Sequence, residues 1–235
     1  MSTVSHFRLF GPSHLITLAV IVSLAVALVV LARRRQSLKL CEALSGLLAI
    51  LLLSNEFIWW IIAVNIHLWS LQWGLPLQIC DLAIFAAAYS LIRHNQLIWE
   101  IAYFWGLGGT LQALLTPDMS FDFPQYYFFK FFITHGGVVM AVIYLAAGCG
   151  RRIDVSSVRR VFIATNLYAG FIAVINGITG ANYLYLCEKP LHPSILDYLG
   201  PWPWYIFGLE AVLAVSLFIY YLPFWIVQKH ENRGK

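Results

Sequence analysis

The chain has 235 residues, of which 60% are hydrophobic and 11% charged. A soluble domain carries about a quarter charged residues, so this composition excludes an ordinary water-soluble fold and leaves no length for a second, soluble domain. The formal net charge of +4 does not mark a nucleic-acid partner, because the basic residues sit in short loops between apolar blocks, where they act as orientation signals.

A membrane-spanning helix needs about 20 mostly apolar residues. Seven blocks meet that need, at about 14–32, 41–62, 75–92, 97–115, 127–148, 158–180 and 205–227. The first is followed by Arg33, Arg34 and Arg35 and lacks both a basic leader and a small-residue cleavage site. It reads as an uncleaved span with its basic end inside, not as a signal peptide. The expected fold is all-α: one polytopic bundle of seven transmembrane helices over residues 1–235.

Orientation follows from the basic residues. Arg33, Arg34, Arg35, Lys39, Arg93, Arg151, Arg152, Arg159, Arg160, Lys229, Arg233 and Lys235 all fall on one side, against Arg8 and Lys189 on the other. Lys130 lies within the fifth span. The positive-inside rule then puts the N-terminus outside and the C-terminus in the cytoplasm.

The connections on the inner side are short, which makes neighbouring helices antiparallel. The last outer connection, 181–204, carries Pro190, Pro193, Pro201 and Pro203 among aromatic residues, and it reads as a structured cap at the headgroup level. Gly106, Gly108 and Gly109 on the fourth span, and Gly170, Ala173 and Gly177 on the sixth, read as sites of close helix approach.

Polar side chains inside a span are costly and face the bundle interior or a wet cavity. At about 1.5 Å of rise per residue, six helices place one roughly 5–12 Å below the outer surface. They are Asn55 and Glu56, Cys80 and Asp81, Gln112, His135, Asn176 and Glu210. The inner halves hold Glu100, Asn166 and little else. This sorting by depth predicts a polar cavity in the outer half of the bundle.

Each of these residues also has a plainer reading. Asn55, Gln112 and Asn166 fit interhelical hydrogen bonds. Glu210 fits an interfacial carboxylate that snorkels or pairs with Lys130. Glu100, near the inner interface, reads as structural. His135 is either a satisfied structural histidine or a proton shuttle, base or ligand. Cys80 is either an inert core thiol or a nucleophile activated by a neighbouring imidazole. A Cys80–Cys187 disulfide is conceivable, since both lie towards the outside, but Cys80 falls inside the span. Cys41 and Cys149 read as apolar fillers.

No paired-ligand motif accompanies His135, Glu56 and Glu210, so no metal site is expected. There is also no phosphate-binding glycine loop and no GxSxG elbow, and no cofactor is implied.

The stretches LPLQIC (Leu75 to Cys80), EIAYFWGLGGTLQALLTPD (Glu100 to Asp118), KFFITHG (Lys130 to Gly136), NYLYL (Asn182 to Leu186) and DYLGPWPW (Asp197 to Trp204) resemble the YwaF-type bacterial integral membrane family. That family is related to the eukaryotic transmembrane protein 164 family, and the resemblance runs from about Phe10 to Phe224. It implies cysteine-dependent transfer of a fatty acyl group between membrane lipids onto a lysolipid, in a bacterial plasma membrane. On that reading Cys80 matches the nucleophile, His135 its partner histidine, and Asn55-Glu56 a further family pair.

Three functions therefore stand side by side. The first is a lipid acyltransferase or hydrolase working through a Cys80 thioester. The second is a seven-helix receptor or transporter using the same cavity, although no internal repeat is visible. The third is a scaffold whose polar groups merely pair off.

Overall fold

A computed structural model describes residues 6–35, 37–190 and 195–233; Pro193 and Lys235 lie outside the described residues. The helices are α1 (Pro12–Arg35), α2 (Leu38–Asn65), α3 (Ile79–Ile92), α4 (Gln96–Trp105), α5 (Leu111–Leu115), α6 (Tyr126–Ile143), α7 (Val155–Thr179) and α8 (Trp204–Arg233). A π-turn, Gly106–Thr110, joins α4 to α5, and a second, Tyr144–Gly148, extends α6. Among the described residues there are no strands, only an isolated bridge between His6 and Phe121.

The helix ends follow local chemistry. Pro12 opens α1, where its missing N–H costs nothing, and the run Arg33 to Arg35 closes it against the helix dipole. At the start of α4 the Asn95 side chain accepts from Ile98 N–H at 3.1 Å. At α7, Asp154 and Ser157 cap each other, with Ser157 N–H donating to Asp154 Oδ1 at 2.8 Å and Asp154 N–H to Ser157 Oγ at 3.0 Å. The same helix stops at Gly180, whose φ of +68° is open to glycine and strained for other residues.

Five helical stretches are long and apolar enough to cross a membrane: Pro12–Arg35, Leu38–Asn65, Tyr126–Gly148, Val155–Thr179 and Trp204–Glu231. Two predicted spans take a different form. The third starts at Ile79 rather than at residue 75, because Pro76 holds Leu75 out of helical geometry and Asp81 caps the helix at Gln78. Its 14 residues rise only about 21 Å, short of a hydrocarbon core of roughly 30 Å. The fourth is split by the glycine-rich π-turn.

The bundle is built around α6. A Cβ added at Gly136 would lie 2.6 Å from Ile21 Cδ1 of α1, and one at Gly137 would lie 2.8 Å from Leu52 Cδ2 of α2. Each missing Cβ seats one neighbouring helix. Ala83, Ile84 and Ala87 of α3, Trp99 and Ala102 of α4, and Val138, Ala141 and Val142 of α6 form the centre of the main core.

Of the six small residues expected at close contacts, Gly106 and Gly109 do make them, while Gly108, Gly170 and Gly177 have open space around them. Gly170, Ala173 and Gly177 face outward on α7, in a row with the exposed Leu167, Phe171, Val174 and Ile178. An uninterrupted apolar belt of this kind is a surface for lipid hydrocarbon.

The arginine-rich end is closed by Glu100. Its side chain is fully buried and accepts from Arg160 Nε at 2.8 Å, Ser157 Oγ at 2.8 Å and Gln96 Nε2 at 2.9 Å. The structural role expected of Glu100 is thus realised as a clasp between α4 and α7. Arg160→Ala strands the buried carboxylate. Because the Arg160 side chain keeps 39% of its surface exposed, the expected loss is about 2 kcal/mol, below the roughly 3–5 kcal/mol of a fully enclosed pair. A lower unfolding midpoint in detergent, only partly restored by Arg160→Lys, is the expected readout, since lysine lacks the guanidinium fork.

Candidate functional site

Cys80 owes its position to the chain before and behind it. The loop after α7 forms a short 3-10 turn, Tyr183–Tyr185, whose buried Tyr183 acts as a pin. Its hydroxyl accepts from Leu75 N–H at 3.0 Å and donates to Leu71 O at 2.8 Å. Asn176 holds the same residue by both amide atoms, with Nδ2 donating to Tyr183 O and Oδ1 accepting from Tyr183 N–H, each at 2.9 Å. Gln78 Oε1 accepts from Leu184 N–H at 3.1 Å, and the Tyr168 hydroxyl donates to Leu77 O at 2.8 Å. The expected cap is therefore real where the structure describes it, and it anchors the segment that leads into α3.

Cys80 stands in the first turn of α3, a position whose N–H groups have no partner within the helix. Its thiol lies against the π-turn. A Cβ at Gly109 would fall 2.9 Å from Cys80 Sγ. The thiol lines a cavity of about 330 Å³ with walls from α3, α4, the π-turn, α7, the Leu184–Leu186 stretch and α8. Most of the lining is apolar, including Phe104, Trp105, Leu209, Leu213 and Leu217, with Glu210 as its carboxylate. A cavity was expected here as a shared polar one; what forms is an apolar one carrying a thiol and an acid.

Glu210 does not pair with Lys130. Its Oε2 accepts from Asn166 Nδ2 at 3.0 Å, which makes Asn166 the interhelical bond expected of it. Lys130 pairs instead with Glu56 at 3.3 Å, both side chains being nearly inaccessible, and lies over the Trp59 ring. Asn55 joins that cluster, donating to Lys130 O at 3.2 Å and Thr134 Oγ1 at 2.7 Å. Asp81 accepts from Gln78 N–H at 3.3 Å and serves as a helix cap. Gln112 is exposed, and Asn176 is consumed by Tyr183.

His135 occupies the α6 face that also carries Phe131 and Val138 (at helical spacing). Its Nδ1 is 2.9 Å from Phe131 O, and the two rings sit 4.2 Å apart. A carbonyl only accepts, so Nδ1 carries the hydrogen and Nε2 keeps its lone pair. Val138, one turn along, packs on Gly106, where an added Cβ would lie 3.0 Å from Val138 Cγ1. Cys80 and the His135 face thus approach the same π-turn, but no hydrogen bond joins the two side chains, and no α6 residue lines the Cys80 cavity among the described residues.

All four cysteines are free, with Cys187 exposed, so Cys80 and Cys187 are not bridged. Glu56, Glu210 and His135 each take a different partner and do not converge. Sequence reasoning missed Tyr183, Gly136 and Gly137. The aromatic-rich loop was a signal for the first, and the pair of adjacent glycines inside a span was a signal for the others.

A bundle of apolar helices that keeps a free thiol in an apolar cavity is an integral membrane protein in contact with lipid. The chain belongs to the TMEM164 family, whose model matches residues 9–221. No curated protein and no solved structure matches it.

The close approach at Gly109 is testable. Gly109→Ala forces the Cys80 side chain to rotate or α3 to withdraw, because 2.9 Å lies inside van der Waals contact. The expected outcome is a several-fold slower reaction of Cys80 with an apolar maleimide. Gly177→Ala, on the outward face of α7 with open space around it, leaves the rate unchanged.

Proposed function

We propose that this protein is a lipid acyltransferase or lipid hydrolase in which the Cys80 thiol takes up a fatty acyl group as a thioester. The observation that carries the reading is the placing of that thiol on the wall of a mostly apolar cavity of about 330 Å³. This volume falls within the range of small-molecule sites, about 300–1,000 Å³. Phe104, Trp105, Leu209, Leu213 and Leu217 suit an acyl chain, and the N–H groups of Ile79 and Cys80 in the first turn of α3 are donors for the oxyanion formed at its carbonyl. The resemblance of the LPLQIC and KFFITHG stretches to the acyltransferase-related family supports the same reading.

In this reading the thiol attacks the donor ester, and the acyl C–O bond breaks as the S–C bond forms. His135, with a bare Nε2, is the base that moves the thiol proton towards the departing alkoxide. That role requires the imidazole and the thiol to meet when lipid is bound, since catalytic hydrogen bonds tighten in the complex. Asn55, Glu56 and Lys130 hold α2 and α6 together beside the histidine. The membrane is taken to be a bacterial plasma membrane, by the resemblance to the YwaF type.

The first experiment is labelling of Cys80 by a lipid-like electrophile in membranes. Strong labelling in the native protein, lost in Cys80→Ser and reduced at least tenfold in His135→Ala, is expected. Labelling indifferent to His135 would remove the histidine from the mechanism, and no labelling at all would move the cavity to ligand binding.

The reading includes seven crossings, with α3 and the segment 96–115 completing the set, the N-terminus outside and the basic end cytoplasmic. Cys149 and Cys187 are both exposed and fall at opposite ends. A membrane-impermeant maleimide applied to intact cells is expected to modify Cys187 and spare Cys149 until the cells are opened. The reverse pattern would invert the topology.

A further inference from the structure

If acyl transfer runs through a Cys80 thioester, the second half of the reaction needs a base for the acceptor. The acceptor hydroxyl must lose a proton as its oxygen attacks the thioester carbonyl. A group standing in the acyl cavity reaches that hydroxyl directly, and His135 is not among the residues lining it.

Glu210 is. It projects from α8 into the cavity that Cys80 lines from α3. Its Oε2 is held by Asn166 Nδ2 at 3.0 Å, and Asn166 is itself steadied by donating to Phe162 O at 3.0 Å. Oε1 makes no hydrogen bond to any described residue. Gln78 Oε1 and Thr165 Oγ1 on the wall are already engaged, the first by Leu184 N–H and the second by Trp105 Nε1 at 2.9 Å and Val161 O at 2.8 Å. Tyr185, Ser216 and Tyr220 also line it, but a neutral hydroxyl is too weak a base to take an alcohol's proton. Glu210 is the carboxylate of a mostly apolar cavity, fixed by one oxygen and free at the other.

We propose that Glu210 is the catalytic base of acyl discharge, taking the proton of the hydroxyl-bearing acceptor that releases the acyl group from Cys80. The acceptor O–H bond breaks and its oxygen bonds to the acyl carbon. The C–S bond breaks, and the proton passes from Glu210 to the departing thiolate, so both groups return to their starting states. The acceptor is a hydroxyl compound, either a lysolipid alcohol or water, and the same carboxylate serves both.

The inference rests on the Cys80 thioester reading, and the experiment separates the two. Purified protein in detergent is given p-nitrophenyl dodecanoate, an activated ester that loads the thiol whatever the natural donor. The nitrophenolate burst counts loading, and the decay of the hydroxylamine-sensitive acyl-protein counts discharge, with and without an added ether lysophospholipid. Glu210→Gln keeps the acceptor oxygen for Asn166 and removes the base. The expected result is a full burst with discharge slowed about 100-fold or more, the scale of general-base catalysis. Acceleration by the lysophospholipid in the native protein identifies it as the acceptor, and acceleration by neither concentration nor type of lysolipid identifies water; Glu210→Gln slows discharge in both cases. Discharge at the native rate in the variant overturns the proposal. So does a variant that no longer loads while Asn166→Ala still does, which would make Glu210 a loading group. A native protein that forms no thioester removes the reading beneath it.

Discussion

The arrangement around Cys80 depends on the missing Cβ of Gly109. Helices ordinarily keep their axes 8–10 Å apart, and the first turn of α3 comes closer to the π-turn than a side chain at that position would permit. The turn is a π-turn because Leu111 N–H reaches back five residues to Gly106 O. The inserted residue shifts the helical register, so Gly106 meets Val138 of α6 while Gly109 meets Cys80 of α3. The same carbonyl, Gly106 O, also receives the Thr110 hydroxyl. One interruption in this helical segment therefore positions two neighbours and keeps its own backbone satisfied.

The acidic groups within the helices differ in how they are compensated. Glu56 has Lys130 and Glu100 has Arg160, each an ion pair at the boundary between helices. Glu210 has only a neutral amide. Glu210 is only partly buried and stands where the helices leave a cavity. The two paired acids hold α2 to α6 and α4 to α7.

How much of this could be read from the sequence depends on the kind of signal. The five long stretches were legible because blocks of more than 20 apolar residues are hard to place elsewhere. The short α3 and the broken fourth segment were not resolved, since hydropathy sees composition and not hydrogen bonding. Pro76 and the cluster at Gly106 to Gly109 were visible but admitted more than one geometry. Cys80 and Glu210 do line one cavity, and Glu100 is held apart from it by Arg160. Direction around each helix was not legible. At 100° per residue, a small error in helix phase or tilt decides whether a side chain meets a cavity, a partner or lipid. That is why Asn176 turned out to bind a loop, Gln112 to be exposed, and Glu56 to take the lysine assigned to Glu210.

This division of directions bears on the chemistry. The first turn of α3 lies between two unlike regions, with the polar contacts of α2 and α6 on one side and the apolar chamber walled by α7 and α8 on the other. A thioester has the same two-sided character, since its chain seeks hydrocarbon and its carbonyl carbon must be reached by proton-transfer groups. On the proposed reading Cys80, at the N-terminal end of a short helix, borders both regions, and the helix is short because Pro76 and the Gln78–Asp81 cap begin it at that boundary. The truncation of α3 is thus part of the site, since a helix begun at residue 75 would carry Cys80 past its first turn and remove the free N–H groups from beside the thiol.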